Sequence, residues 1–289
     1  MRCRTSAWER LRFGCVALLL GCASPAGQPP AAPDASLDGA SADAALDLAV
    51  DTASPSDTAP DQPPADAADA PRGPTLGMLT GPCGDLRGML RAREPSRVQN
   101  RLVFAAGERY ERAALSPGGQ RIFDTDNAGG SSTESEVLSF ELLFRCEAAA
   151  LVATETEVRY APPDDSGANS ITDILVSIGG ERVGVSVTRA YRPAPMALTD
   201  ADVRDLLVRK LQGIVRSSQR VLPEHRWVKQ ILHVFAVDDA AADAVARVWA
   251  TLDAAVRADT IVLVTVTRGG GFIYCNPDPP LGMECPPLR

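Results

Sequence analysis

Residues 171–191 read ITDILVSIGGERVGVSVTRAY, two strongly β-forming runs that meet at a pair of glycines. Ile171, Ile174, Val176 and Ile178 lie along the first arm, and Val183, Val185 and Val187 alternate along the second. The stretch therefore reads as a β-hairpin with Gly179-Gly180 as its tight turn. Side chains on a strand alternate with a period of two, so a one-residue slip would send every valine to the opposite face. The hairpin thus sets the register of whatever sheet it joins.

Working outward, residues 134–149 place Val137, Leu138, Glu141, Leu142 and Arg145 at helical spacing, with Ser132 or Thr133 as N-cap and Glu136 positioned for a capping box. LVATETEVRYA then alternates as a strand from Leu151 to Tyr160, ahead of the hairpin. After it, Thr199 or Asp200 caps a long amphipathic helix whose stripe is Val203, Leu206, Leu207, Lys210, Leu211, Ile214 and Val215. KQILHVFAV, from Lys229 to Val237, is a continuous apolar run of the kind buried on both faces. Asp238 or Asp239 caps a third helix, and DTIVLVTVT is a second apolar strand that ends at Arg268-Gly269-Gly270-Gly271. The order is α, β, β-hairpin, α, β, α, β. It predicts an α/β fold with a mixed central sheet and flanking helices, one globular domain over 76–289, with 76–133 as an irregular N-terminal arm that holds a short helix around Leu86 to Arg93 and, in RLVFAAGERYERAAL, a strand followed by a helical turn.

Helix, three-strand meander, helix, strand resembles the core order of the PD-(D/E)XK, or restriction-endonuclease-like, superfamily. That resemblance implies an acid at the start of the second strand and an acid and a lysine two apart on the third. Together these would hold a divalent metal and activate water; a hard cation such as Mg²⁺ wants carboxylate oxygens. Asp173 stands where the first acid belongs, and Glu136 or Glu141 matches the acid that some members carry on the preceding helix. On the third strand GVSVTRA offers Ser186 and Thr188 instead, neither of which replaces a carboxylate or a cation, and a regular strand turns Arg189 to the other face. A non-catalytic relative is expected. The rival is a metal-dependent nuclease using Asp173 with Glu181 or Glu141. Asp173 after Asn169-Ser170 also reads as a turn-capping residue.

The chain opens with Arg2, Arg4, Arg10 and Arg12 against Glu9, then an apolar run from Cys15 to Leu20, too short to span a bilayer. Leu19-Leu20-Gly21-Cys22 follows and resembles the lipobox of bacterial lipoprotein precursors. The resemblance implies a signal peptide over 1–21 and a diacylglyceryl group on Cys22 that anchors the mature chain to a membrane. Ala23 at the next position resembles an outer-membrane destination. From Ala23 to Thr75 the composition shifts to Ala, Asp, Pro, Ser and Gly, with nine Asp against Arg72. Such a stretch buries too little apolar surface to offset the entropy of ordering, so 22–75 reads as an acylated cysteine and a disordered tether of roughly 40 Å end to end.

Of the 7 cysteines, Cys83, Cys146, Cys275 and Cys285 remain once the signal and the anchor are set aside, an even number in a disulfide-permissive compartment. Pairing Cys275 with Cys285 closes the loop CNPDPPLGMEC and leaves Cys83 with Cys146. No CxxC pair exists, and His225 and His233 stand outside ligand spacing of any cysteine, so neither metal nor cofactor is expected. His233, within ILHVF, reads as a core histidine and His225 as a loop residue. The formal net charge of −8 lies mostly in the tether, and the remainder carries no basic stripe, so nucleic acid is not an expected partner. These features point to a membrane-anchored exported lipoprotein whose tethered domain binds a protein or small ligand. An exported nuclease and a structural envelope component are the alternatives.

Overall fold

The computed structural model describes residues 76–106, 108, 111–125, 133–163, 170–193 and 195–274. The hairpin forms as its valines dictate: β4 (Ile174–Ile178) pairs antiparallel with β5 (Glu181–Ala190), Ile178 standing opposite Glu181. Gly179 and Gly180 turn the chain at φ of 58° and 84°, left-handed angles that a side chain would resist. Around this pair runs a seven-stranded mixed sheet in the order β1-β2-β7-β6-β5-β4-β3. Its other strands are β1 (Met78–Thr80), β2 (Ser96–Val103), β3 (Ala150–Thr154), β6 (Lys229–Ala236) and β7 (Ile261–Arg268). Strands β2, β7, β6 and β5 pair parallel, and the two outer pairs on one side, β5 with β4 and β4 with β3, are antiparallel, as is β1 with β2.

Helices cover both faces. One face packs on α3 (Thr133–Glu147), with α1 (Leu86–Met89) and α2 (Pro117–Asp124) in the same cluster; the other packs on α4 (Asp200–Arg220) and α5 (Asp239–Thr251). The strand period sorts residues between them. On β6, Ile231 and Phe235 go to the α3 side, and Leu232, Val234 and Ala236 go to the α4 side. Strands buried on both faces read as unbroken apolar runs, and every residue of β6 is buried. From α3 through β3, β4, β5 and α4 to β6, the chain follows helix, three-strand meander, helix, strand, with β6 parallel to β5. A short α6 (Ala254–Arg257) precedes β7. Among the described residues no helix is long and apolar enough to cross a membrane.

Local chemistry explains the ends. Thr199 caps α4 in a reciprocal capping box with Asp202, and the Asp238 carboxylate accepts the Ala241 N–H at the start of α5. Helix α3 departs from the amphipathic helix expected of it: it is buried almost all round, from Ser135 to Leu143. The reason is a second layer outside it. Helix α2 packs on its outer side, and Arg145 donates to the carbonyls of Leu76 and Gly77 in the N-terminal arm.

That arm is where expectation and structure differ most. The segment read as irregular supplies α1, α2 and two strands, and β2 lies parallel to β7 along its whole length, from Ser96 opposite Ile261 to Val103 opposite Arg268. Its alternation is disguised because Asn100 sits among the inward residues Val98 and Leu102, while Arg97, Gln99 and Arg101 are the less buried set. Strand β3 is shorter than read, ending at Thr154; Tyr160 survives as a single bridge to Val221. Ser132 lies outside the described residues, as do Cys22, the tether, Cys275 and Cys285.

Cys83 and Cys146 form a disulfide across 63 residues of chain, tying the arm to the end of α3. Closing a loop of that length removes entropy from the unfolded state worth about 4 kcal/mol. The double substitution Cys83→Ala/Cys146→Ala is expected to lower the free energy of unfolding by about that amount, read as a lower denaturant midpoint with a steeper slope, because the unfolded chain without the cross-link exposes more surface.

Candidate functional site

The site to test is the entry to the hairpin, where Asp173 stands one residue before β4. Its backbone N–H donates to the Val185 carbonyl at 3.0 Å, and its Oδ2 accepts the Val187 N–H at 2.5 Å. The carboxylate thus takes the donor that a further ladder residue would have used, and it ends the β4–β5 pairing while β5 runs on beside β6. Burial pushes the Asp173 carboxyl above its ordinary range; the Lys210 charge and the two N–H groups pull the other way, and burial prevails. The turn-capping reading of Asp173 is the one its contacts support.

Ser186 and Thr188 occupy the two positions where the resemblance calls for an acid and a lysine. Both belong to the buried polar groups of β5. Ser186 Oγ lies 3.5 Å from Gln230 Oε1, and Gln230 Nε2 donates to Ser217 Oγ at 2.8 Å and Ser218 Oγ at 3.1 Å. Trp227 Nε1 donates to the same Ser218 at 3.0 Å. Ser186 thus belongs to a neutral network that fastens α4 to β5 and β6. Arg189 is directed to the α3 side, where it donates to the Ile273 carbonyl at 3.1 Å; burial lowers its pKa against the charges of Glu134, Tyr274 and Glu136.

Three acids were candidates to join Asp173, and the structure separates them. Glu136, on the first turn of α3, lines one cleft with Asp173, together with Glu155 and Thr154 at the end of β3 and Ile122 and Thr125 of α2. Glu141 is engaged elsewhere: its Oε1 accepts both the N–H and the Oγ–H of Ser116 at 2.9 and 2.7 Å, holding the start of α2. Burial raises its pKa, with the Ser116 hydrogen bonds and the Arg145 charge opposing. Glu181 sits at the turn end of the hairpin and pairs with exposed Arg91 at 3.2 Å. Five strand residues part it from Asp173, on the order of 15 Å, so those two carboxylates do not share a ligand. Glu155 was not singled out in the sequence because TETE reads as more of the β3 strand.

A divalent cation does not fit this set. At positions 186 and 188 strand β5 presents a serine and a threonine in place of an acid and a lysine, Asp173 spends an oxygen on the Val187 N–H, and burial opposes the charged form of its carboxyl that a metal requires. Among the described residues no three of His, Cys, Asp and Glu converge on one point.

The histidines are structural. His225 Nδ1 accepts the Arg159 N–H at 2.9 Å. His233 is fully buried, with Nδ1 on Ser139 Oγ and Nε2 on Thr265 Oγ1, each at 2.8 Å, and burial lowers its pKa to about 3. Thr265 Oγ1 donates to Asn100 Oδ1 at 2.6 Å, so it accepts from His233, whose proton is therefore on Nε2. The glycines after β7 serve packing, since a Cβ on Gly270 would fall 2.6 Å from the Phe104 ring.

No protein-family model matches the chain. It is 40% identical over 167 residues to the AAC-rich mRNA clone AAC4 protein of Dictyostelium discoideum, a match that takes in 55% of this chain and 24% of that protein. The chain thus spans about a quarter of that relative's length. Among solved structures, SfsA of Pyrococcus furiosus in complex with Ca²⁺ aligns over 47% of this chain and 55% of that one, at 11% identity and a TM-score of 0.25. A likeness at that level carries no argument about this fold.

The raised pKa of Asp173 has a signed consequence. The folded state binds this proton more tightly than the unfolded chain, so the penalty of the ionised carboxylate is complete above the raised pKa, fades as pH falls from there toward 3.8, and is gone below 3.8. Asp173→Asn keeps an acceptor for Val187 and removes the charge. It is expected to be more stable than the parent at pH 7 and equal to it near pH 3; urea midpoints at both values check this, and an equal gap at the two would refute it.

Proposed function

We propose that this chain is an exported lipoprotein, held to a membrane through an acylated Cys22, whose α/β domain binds a partner or ligand without metal-dependent hydrolysis. The anchoring half rests on the charged, apolar and Leu19-Leu20-Gly21-Cys22 succession and on the polar stretch that follows it. A disulfide between Cys83 and Cys146 favours the same setting, because such bonds persist in oxidising compartments. The binding half rests on one observation: the β5 positions that a nuclease of this core order would use carry Ser186 and Thr188, with Ser186 joined to the Gln230 network. On this reading the core is a scaffold, and the cleft beside Asp173, Glu136 and Glu155 is the surface offered to a ligand. The location follows: a tethered domain at the outer membrane.

Expressed in a bacterium, the parent chain is expected in the membrane fraction and Cys22→Ala in the soluble fraction. An unchanged distribution would defeat the anchoring proposal. A second reading, an exported metal-dependent nuclease, is favoured by one fact, that Glu136 and Asp173 line the same cleft. Incubating the protein with Mg²⁺ or Mn²⁺ and DNA or RNA is expected to leave the nucleic acid intact. Cleavage that disappears in Asp173→Ala would overturn the non-catalytic reading.

A further inference from the structure

Past the end of β3 the chain turns back over the end of α4 as a strap. The N–H groups of Glu157 and Val158 close the turn on the Thr154 carbonyl. Residues 159–161 then run antiparallel to 220–222 about the bridge between Tyr160 and Val221. The Leu222 N–H donates to the Arg159 carbonyl at 3.0 Å, and the Ala161 N–H to the Arg220 carbonyl at 2.8 Å. The Arg159 N–H goes instead to a side chain, His225 Nδ1, at 2.9 Å. Inward from this contact, Tyr160 packs edge-on to Trp227, and its hydroxyl accepts the N–H of the fully buried Thr172 at 2.8 Å, one residue before Asp173. The start of the same segment, Thr154 and Glu155, lines the Asp173 cleft. One strap thus joins His225 to a wall of that cleft.

A carbonyl accepts a hydrogen bond at any pH, but an imidazole nitrogen accepts only while it is bare, and a protonated ring is a donor at both nitrogens. Protonation of half-buried His225 would therefore set two donors face to face, Nδ1–H against the Arg159 N–H. The other titratable and charged groups on the elements that meet here are Glu224 and Arg226 beside it, Arg159 and Tyr160 on the strap, Arg220 on α4, and Arg182 on β5, whose Nη1 donates to the Glu224 carbonyl. Glu157 pairs with Arg121. Between about pH 7.5 and pH 5, ordinary carboxylates, phenols and guanidinia keep their charge while an ordinary imidazole gains one. Asp173, raised by burial, is the neighbour from which His225 must be told apart. We propose that the His225–Arg159 contact is a pH-operated latch on one wall of the Asp173 cleft, closed by the neutral ring and released when the ring takes up a proton. Its purpose rests on the reading of that cleft as the ligand surface; the latch itself is measured without a ligand.

The test is hydrogen exchange on the full chain with its disulfide intact. Mass spectrometry follows peptides that contain residues 159–161 and Thr172, each rate being divided by that of an unstructured amide at the same pH. Protection at 159–161 is expected to fall about tenfold from pH 7.5 to pH 5, the worth of one hydrogen bond, with Thr172 following it and β6 unchanged. His225→Asn, which sets Oδ1 in the place of Nδ1 and does not titrate, is expected to hold the strap at both values, and His225→Leu to leave it loose at both. Asp173 is intact in each variant. A fall with pH that survives in either, or a parent whose protection at 159–161 ignores pH, would overturn the latch. Tyr160→Phe removes the acceptor of the Thr172 N–H and leaves His225 in place, so Thr172 is expected to lose protection at both values while 159–161 keep their response. A Thr172 that still follows pH in this variant would sink the link from latch to cleft.

Discussion

The register of the β4–β5 hairpin is the constraint on which the rest depends. With Gly179 and Gly180 in left-handed conformations, Ile178 must stand opposite Glu181, and the face of every later β5 residue follows from the period of two. Val183, Val185 and Val187 join the cluster beneath α3, which leaves Ser186 on the side of α4. Because β6 pairs with β5 residue for residue, Ser186 beside Leu232 and Val187 beside His233, the choice is handed on to the next strand. A shift by one residue would bring Ser186 beneath the leucines of α3 and the valines against Gln230. The penalty would fall on polar groups as well as on apolar contacts. Gln230, Ser217 and Ser218 on one face, and His233, Ser139 and Thr265 on the other, find their partners in one register alone.

The fate of Asp173 shows how such a frame turns a potential ligand into a structural part. Three influences act on its carboxyl. Lys210 and two N–H groups favour the charged form, burial opposes it, and the raised pKa shows that burial is the larger. A metal at this point would add to the favouring side, but it would need a further carboxylate, and β5 carries Ser186 and Thr188 where one would stand. Glu141, expected as a partner acid, is used up in the same manner, with its carboxylate on the cap of α2. In both cases an acid that sequence position alone marks as catalytic is consumed by a backbone or hydroxyl donor within reach.

Much of the core was legible because its signals are local. The two-glycine turn, the apolar runs of β6 and β7, and the caps at Thr199 and Asp238 each depend on residues adjacent in sequence, and each appears where its chemistry puts it. What stayed hidden depends on distant partners. Strand β2 is a strand because β7 lies beside it, more than 150 residues later; its own pattern is broken by Asn100, which is buried only because Thr265 satisfies it. The all-round burial of α3 was equally unreadable, since Glu141 and Arg145 fall near the face of Val137, Leu138 and Leu142 without a visible partner until Ser116 and the Leu76 carbonyl are brought to them. The candidate site follows the same rule. Asp173 and Glu136 could be found from their places before a strand and on the preceding helix, whereas Glu155 is brought to the same cleft by the packing of α2 and α3 on β3.

The polar residues of the α3 face form one relay with a single direction. Burial holds His233 neutral down to about pH 3, so across ordinary pH the ring carries one proton, and the two nitrogens must play opposite parts. Thr265 gives its hydrogen to Asn100 Oδ1 and so receives from Nε2; Nδ1 is then an acceptor, and Ser139 Oγ is its donor. With the relay running from Ser139 to Asn100, one hydrogen-bond direction holds across β6, β7 and β2, and each member is satisfied by a residue far from it in the chain. Reversing any one link would leave two donors or two acceptors facing each other in the buried sheet. The polar residues of this face are therefore tolerated as a set, through side chains that no stretch of sequence brings together.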